Sequence, residues 1–345
     1  MAKYPVTTAS AREAIGLREL RERACSPVAD GGSPLAPRPY LLVRLDEPAG
    51  SMSAAETADI ARWLRRQPCP VIALADGGAH ADLHQACDVV VVEAVDVEAT
   101  LENVRNSPLA AMTLVQVLRV TEQLTLEQAL LVESLAYATL QAGPDFRRWL
   151  DRRGPPRTRL CGDPGPAVVV ERNGARVDIR LNRPSRRNSM SVEMRDGLWE
   201  ALQFVVADPT IEVARLSGNG PCFSSGGDLD EFGTAPDPAT AHAVRSLRLP
   251  GAMLLRCIER IEFRVHGACV GAGAELPAFS RRVHASRDAF FQLPEIRLGL
   301  IPGAGGCVSI PRRIGRQRAA YMALSGAPID ASQALAWGLI DAVVD

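Results

Sequence analysis

Two glutamates stand twenty residues apart beside glycine-rich turns late in the sequence. Glu275 lies in RVHGACVGAGAEL (Arg264–Leu276) and Glu295 in LPEIRLGLIPGAGG (Leu293–Gly306). Two segments precede them, LNRPSRRNSMS (Leu181–Ser191) and a further glycine loop, CFSSGGDLDEF (Cys222–Phe232). CFSSGGDLDEF and RVHGACVGAGAEL each follow an apolar run that reads as a strand and open a segment that reads as a helix. Backbone N–H groups at a helix N-terminus lack a partner within the helix and point at whatever lies above them. Two such loops facing one point form an oxyanion hole, a pair of donors for an oxygen that gains negative charge. Small residues let a ligand approach the backbone closely. Two carboxyls beside that point can exchange protons with a carbon atom and a water.

Each feature has a plainer reading on its own. SSGG and GAGG turns occur throughout α/β proteins, a glutamate near a helix N-terminus is an ordinary dipole partner, and Glu295 could pair with Arg297 or Arg281. The four segments in this order are what favour a site. A dinucleotide site is the rival, because Val270-Gly271-Ala272-Gly273 joins a strand to a helix and Glu295 lies about where a ribose-binding acid is expected. The third glycine of that fingerprint is missing, since Leu276 occupies its place, and the segment lies deep in its block.

From about Ala167 to Asp345 the sequence resembles the crotonase (enoyl-CoA hydratase/isomerase) superfamily. FSSGGDLDEF is similar to that family's first oxyanion loop, with Gly227 as the N–H donor. VHGACVGAGAEL is similar to its second, with Ala272 as the donor. Glu275 and Glu295 fall on the two hydratase glutamates at the family's spacing. The resemblance implies a spiral of β-β-α repeats assembled into homotrimers or dimers of trimers. It implies a lyase that binds acyl-CoA and stabilises a thioester enolate, with water addition to an α,β-unsaturated acyl-CoA as the favoured reaction. Double-bond isomerisation and thioester hydrolysis are alternatives within the family, and a non-catalytic acyl-CoA-binding subunit is one outside it. No cofactor is expected, coenzyme A being part of the substrate. The CoA contacts implied are Arg186, Arg187, Ser225, Asp228 and Leu229, with Trp149, Arg152 and Arg153 from a terminal-type helix. Three positions depart from the pattern: Ala272 replaces a glycine, Arg281 stands where aspartate is frequent, and Cys307 stands where threonine is frequent.

The bulk composition agrees with a small-molecule enzyme. Net charge is −1, so no polyanion such as nucleic acid is expected as partner. Lys3 is the single lysine, which excludes an internal Schiff-base or Walker lysine and leaves phosphate binding to arginine. The eight cysteines form no close pairs and the five histidines no metal-binding pattern, so no metal is expected. No window is apolar enough for a membrane span, and MAKYPVTTASAREAIGLREL lacks a secretory core. The expectation is a soluble, cytoplasmic protein.

These motifs need elements to hold them. Residues 1–38 read as a tail and linker, with a short helix over 10–25 and a flexible SPVADGGSPLAPRP. Residues 39–155 read as a β-α-β block (Tyr40–Leu45, Ala54–Arg66, Val71–Leu74, Asp82–Ala86, Val89–Val92) followed by helices from Val97 to Leu150. This stretch resembles a degenerate crotonase-like half. DVVVVEAVDVEATLENVRNSPLAAMTLVQVLR and AGPDFRRWLDRRGPPR are similar to helices that in the family follow a segment like the terminal GLIDAVV. An unrelated helical domain is the alternative. After a DRRGPPRTR linker, residues 166–345 read as the catalytic core, opened by a hairpin around Asn173-Gly174. Gly233–Pro250 is expected to cover the acyl pocket.

Overall fold

The computed structural model describes residues 13–26, 32–45, 52–74, 80–91, 94–155 and 162–345, with backbone alone for 94–96. The start of the tail, residues 27–31 of the first linker and 156–161 of the second lie outside the described residues.

The first layer contains α1 (Leu17–Cys25), β1 (Leu41–Arg44), α2 (Ala54–Arg65), β2 (Val71–Leu74), α3 (Ala81–Ala86) and β3 (Val89–Val91). The three strands form a parallel sheet in the order β1-β2-β3. Strand alternation sends side chains to opposite faces. Leu41, Val43, Val71 and Ala73 pack with Leu17, Leu20, Ile60 and Leu64 of the covering helices in a small core. Leu42, Ile72, Val89 and Val91 face the other way and join the main core.

The expected tail is therefore not a tail throughout. Gly16 caps α1 in an extended conformation, and Ile15 before it pairs with Val43 as an added strand position. Of the helix expected over 10–25, residues 10–12 lie outside the described residues, and Leu17–Cys25 is helical after a break at Ala14–Gly16. The described part of the linker is tied down as well, because the Gly32 N–H donates to Gln67 Oε1 at 3.1 Å.

Four helices follow: α4 (Ala94–Asn106), α5 (Pro108–Thr121), α6 (Leu126–Gln141) and α7 (Pro144–Arg153). Pro108 and Pro144 sit in first turns, where the missing N–H costs nothing. Thr125 and Gln128 form a capping box on α6.

The remaining chain forms a six-stranded sheet and a three-stranded one. The hairpin β4 (Val168–Asn173) and β5 (Arg176–Leu181) precedes α8 (Val192–Ala207) and β6 (Val213–Gly218). Then come α9 (Pro238–Arg248), α10 (Pro250–Leu255), β7 (Ile261–Val265), β8 (Ala268–Val270), α11 (Ala272–Glu275), β9 (Arg282–Ser286) and β10 (Phe290–Gln292). The chain closes with α12 (Gly306–Ile314), α13 (Arg316–Ser325), β11 (Ile329–Asp330), α14 (Ala331–Trp337) and β12 (Ala342–Val344). The larger sheet has the order β12-β9-β7-β6-β5-β4, parallel except for the hairpin. The smaller has the order β11-β10-β8. Successive strands feeding two sheets in turn give the spiral expected from the sequence.

Helices α4–α7 pack on this spiral rather than apart from it. Leu101, Leu114, Leu118 and Phe146 share one apolar core with Phe263, Phe291 and Ile310. Asn103 donates to the carbonyls of Leu324 and Ser325, which end α13. A buried ion cluster joins the first layer, α5 and α13. Asp88, 1% exposed, accepts from Arg119, from Arg316 at 3.1 Å and from the Val71 N–H at 2.8 Å. Arg316 also lies 3.1 Å from Glu122.

Replacing Asp88 by alanine leaves the largely buried Arg119 without its anion and Arg316 with the half-exposed Glu122 alone. Breaking a buried pair from one side typically costs about 3–5 kcal/mol. Urea denaturation of Asp88→Ala is expected to show a loss of that order. A loss under about 1 kcal/mol would mean the pairs behave as solvated surface charges.

Candidate active site

The two oxyanion-type loops are bonded to each other. Ser224 N–H donates to the Ala268 carbonyl at 3.1 Å, and Val270 N–H donates to the Ser224 carbonyl at 3.0 Å. The approach is so close that a Cβ on Gly226 would lie 2.8 Å from the Val270 carbonyl oxygen. Asn188 fixes the first loop from below, donating to the carbonyls of Asn219 and Cys222, while Ser224 Oγ donates to the Asn188 carbonyl at 2.8 Å. These contacts leave the N–H groups of Gly227 and Ala272 without a carbonyl partner among the described residues. Ala272 starts α11 after Gly271, whose φ of +51° is a conformation that favours glycine.

Glu275 ends this one-turn helix and is 2% exposed. Its Oε2 accepts from the N–H groups of Ala304 at 2.7 Å and Gly306 at 2.8 Å. A Cβ on Gly306 would come within 2.5 Å of the Glu275 side chain, so only glycine permits this contact. Burial pushes the Glu275 carboxyl up to about 7, against the pull of the two amides.

Glu295 begins a 3-10 turn that ends at Gly299, where φ is +72°. It is 8% exposed, and its Oε1 lies against Gly271, 2.6 Å from where a Cβ would stand. Its Oε2 is buried without a hydrogen-bond partner among the described residues. Burial, and then the charge of Glu275, hold its carboxyl well above the ordinary range. Glu295 forms no ion pair with Arg281 or Arg297 among the described residues, so its plainer reading as an ion-pair partner does not hold.

Two further residues of the site escaped the sequence reading. Glu133 of α6 is 1% exposed and accepts from the N–H groups of Gly305 and Cys307 at 2.7 and 2.8 Å. Burial and the neighbouring Glu275 raise its carboxyl well above the ordinary range. Tyr137, one turn further along α6, has its ring against the backbone of Gly303. The only available signal was an acid on the apolar face of LEQALLVESLAYATLQ, where a solvent-facing position would be ordinary.

The expected CoA contacts divide. Arg153 donates to the carbonyls of Leu229 and Phe232, so α7 is clamped onto the segment after the first glycine loop. Its guanidinium also lies over Trp149, which stacks on Phe146 and meets Phe232 edge to face. Arg152 is exposed and bonds its own helix at the Arg148 carbonyl, away from that clamp. Arg186 pairs with buried Asp228 at 3.0 Å. Arg187 is exposed in a left-handed turn, and its carbonyl accepts from Ser225 N–H. Leu229 is exposed beside them.

No group of three or more His, Cys, Asp or Glu side chains that could hold a metal occurs among the described residues. No described helix is long and apolar enough to cross a membrane.

The profile of the enoyl-CoA hydratase/isomerase family matches residues 171–345, just over half of the chain. Among curated proteins, 1,2-epoxyphenylacetyl-CoA isomerase of Escherichia coli is 39% identical over 173 residues, 49% of this chain and 66% of its own length. The 2,3-dehydroadipyl-CoA hydratase of the same organism is 35% identical over 176 residues, 51% and 68% of the two chains. A mevalonyl-coenzyme A hydratase of Aspergillus fumigatus is 34% identical over 167 residues, 48% and 62%. The chain thus spans about two thirds of these relatives' length. A solved enoyl-CoA hydratase from Thermoplasma volcanium is 33% identical, with a TM-score of 0.48 over 52% of this chain and 73% of that one.

The raised Glu275 carboxyl has a consequence for stability. Its ordinary value is 4.5, and burial moves it to about 7. The folded state therefore holds a proton that the unfolded chain releases across that window, and stability falls as pH rises through it. Glu275→Gln keeps an acceptor for the two amides and removes this loss. Its melting temperature is expected to exceed that of the native protein near pH 8 and to match it more closely near pH 5, a gap on the order of a few kcal/mol. Parallel melting curves across the range would show that Glu275 ionises without cost.

Proposed function

The chain belongs to the enoyl-CoA hydratase/isomerase family, and on that premise we propose that it adds water reversibly to an α,β-unsaturated acyl-CoA. The observation that carries this reading is the unequal solvation of the two glutamates. Glu275 Oε2 receives two backbone N–H groups, whereas Glu295 Oε2 receives none. Negative charge is stabilised on the first and penalised on the second. One ionised and one protonated carboxyl side by side is the state that water addition requires.

In this mechanism the thioester oxygen lies between the N–H groups of Gly227 and Ala272. Glu275 takes a proton from water as the oxygen attacks the β-carbon. Electrons move onto the thioester oxygen, and the two amides stabilise the enolate by about 3–4 kcal/mol per donor. Glu295 delivers its proton to the α-carbon. Coenzyme A is the bound portion of the substrate, its phosphates met by arginines from among Arg186, Arg187, Arg152 and Arg153, since Lys3 is the single lysine. The same reading carries a cytoplasmic location and assembly as a trimer or dimer of trimers.

Isomerisation or thioester hydrolysis needs only one of the two carboxyls for its central step. Glu275→Gln and Glu295→Gln are each expected to lower kcat for hydration of an enoyl-CoA by about a hundredfold or more, with ester binding largely kept. Stopped-flow absorbance of the conjugated thioester reads the rate. Undiminished hydration in either single variant would exclude the two-carboxyl mechanism.

A further inference from the structure

The contact between α6 and α9, on the same helix as Glu133, carries a cation that the hydration chemistry does not use. Arg245 projects from α9 onto α6. Its Nε donates to Ser134 Oγ at 3.1 Å, one terminal nitrogen to the Ser134 carbonyl at 3.3 Å, and the other to Gln141 Oε1 at 3.2 Å. All three acceptors are neutral. No carboxylate forms an ion pair with Arg245 among the described residues. Glu133 is the acid whose charge it feels, but both Glu133 oxygens are already held by the amides of Gly305 and Cys307. Burial lowers the Arg245 pKa, the direction expected for a cation held without a counter-charge. Other arginines at the joins between helices and core, such as Arg119 and Arg316, share a buried aspartate.

The position of Arg245 ties it to the site. Its Cζ lies 4.6 Å from the centroid of the Tyr137 ring. That ring lies against Gly303, 2.4 Å from where a Cβ would stand, in the loop whose next residues bind Glu275 and Glu133. The Tyr137 hydroxyl has no hydrogen-bond partner among the described residues, and Glu295, Glu275 and Glu133 all act on it electrostatically. His242, one turn before Arg245 on α9, bonds Ser134 Oγ at 2.8 Å and completes the polar patch. A guanidinium has five N–H groups and no acceptor, so two remain after the three bonds above.

We propose that Arg245 and Tyr137 form the polar end of the acyl pocket and select acyl-CoA esters whose acyl chain carries a carboxylate. This rests on reading the neighbouring glutamates as an acyl-CoA site. A carboxylate there supplies the counter-charge that Arg245 lacks, through a guanidinium already oriented by Ser134 and Gln141. The Tyr137 hydroxyl adds a neutral donor. An acyl chain with a methyl end leaves both groups desolvated and unpaired, which is the basis of discrimination against it.

Saturated acyl-CoA esters test this apart from hydration, because they bind but have no double bond to attack. Isothermal titration calorimetry would compare straight-chain esters of graded length with their ω-carboxylate counterparts. At one chain length the carboxylate form is expected to bind about tenfold tighter or more, as for a charge-assisted hydrogen bond. Arg245→Gln is expected to remove that preference. Equal affinity at every length in the native protein, or a preference that survives Arg245→Gln, would overturn the proposal. Should Arg245→Gln fail to fold, the series on the native protein still decides. Hydration of the α,β-unsaturated esters of both series, methyl-ended and ω-carboxylate, is measured alongside; its absence from both would sink the hydratase reading and leave the binding comparison intact.

Discussion

One turn of backbone holds the site together. The N–H groups of Ala304, Gly305, Gly306 and Cys307 open α12 and have no partners inside it. They bind two carboxylates in alternation: the first and third go to Glu275, the second and fourth to Glu133. A helix N-terminus stabilises negative charge, but two buried acids on one turn repel each other. The result is a Glu275 carboxyl raised to about 7 and a Glu133 carboxyl pushed well above its ordinary range. A side chain on Gly306 would strike Glu275, and one on Gly305 would strike Phe279, which explains why the turn reads GAGG.

That turn makes the amino-terminal helices part of the catalytic half. α6 supplies Glu133 to the turn that orients Glu275. α7 starts against Gly299, where any Cβ would fall 2.5 Å from the backbone of Asp145 and Phe146, so it braces the turn that carries Glu295. The end of α7 clamps the first glycine loop through Arg153. The three reacting parts of the site are therefore each held from the same helical stretch. A boundary drawn near residue 160 separates segments of sequence but not of packing, since a single apolar core runs through both.

The sequence disclosed what depends on local chemistry. Gly271, Gly299 and the GAGG turn announce backbone that only glycine can follow, and Glu275 and Glu295 stand at fixed distances from them. The parallel strands of the first layer were legible as short apolar runs. Long-range pairings were not legible. Glu133 meets its partners across 172 and 174 positions, Arg245 meets Ser134 across 111, and Asp88 meets Arg316 across 228. Nothing in the neighbourhood of those residues states the partner. The Ile15 pairing with Val43 was hidden for a different reason: a charged, helix-favouring stretch surrounds it, and the extended Gly16 separates it from the helix that follows.

The same long-range contacts explain how charge is arranged around the pocket. Three acids lie within it or beneath it, and the cation facing them is Arg245, oriented by neutral groups. Had Arg245 paired with Glu133, that acid would be ionised, its charge would act on Glu275, and Glu275 would be harder to ionise in turn. The amides of Gly305 and Cys307 favour charge on Glu133, but burial and the neighbouring Glu275 outweigh them and hold its carboxyl well above the ordinary range. Because amides and not Arg245 hold the Glu133 carboxyl, the guanidinium is left with the neutral acceptors of Ser134 and Gln141.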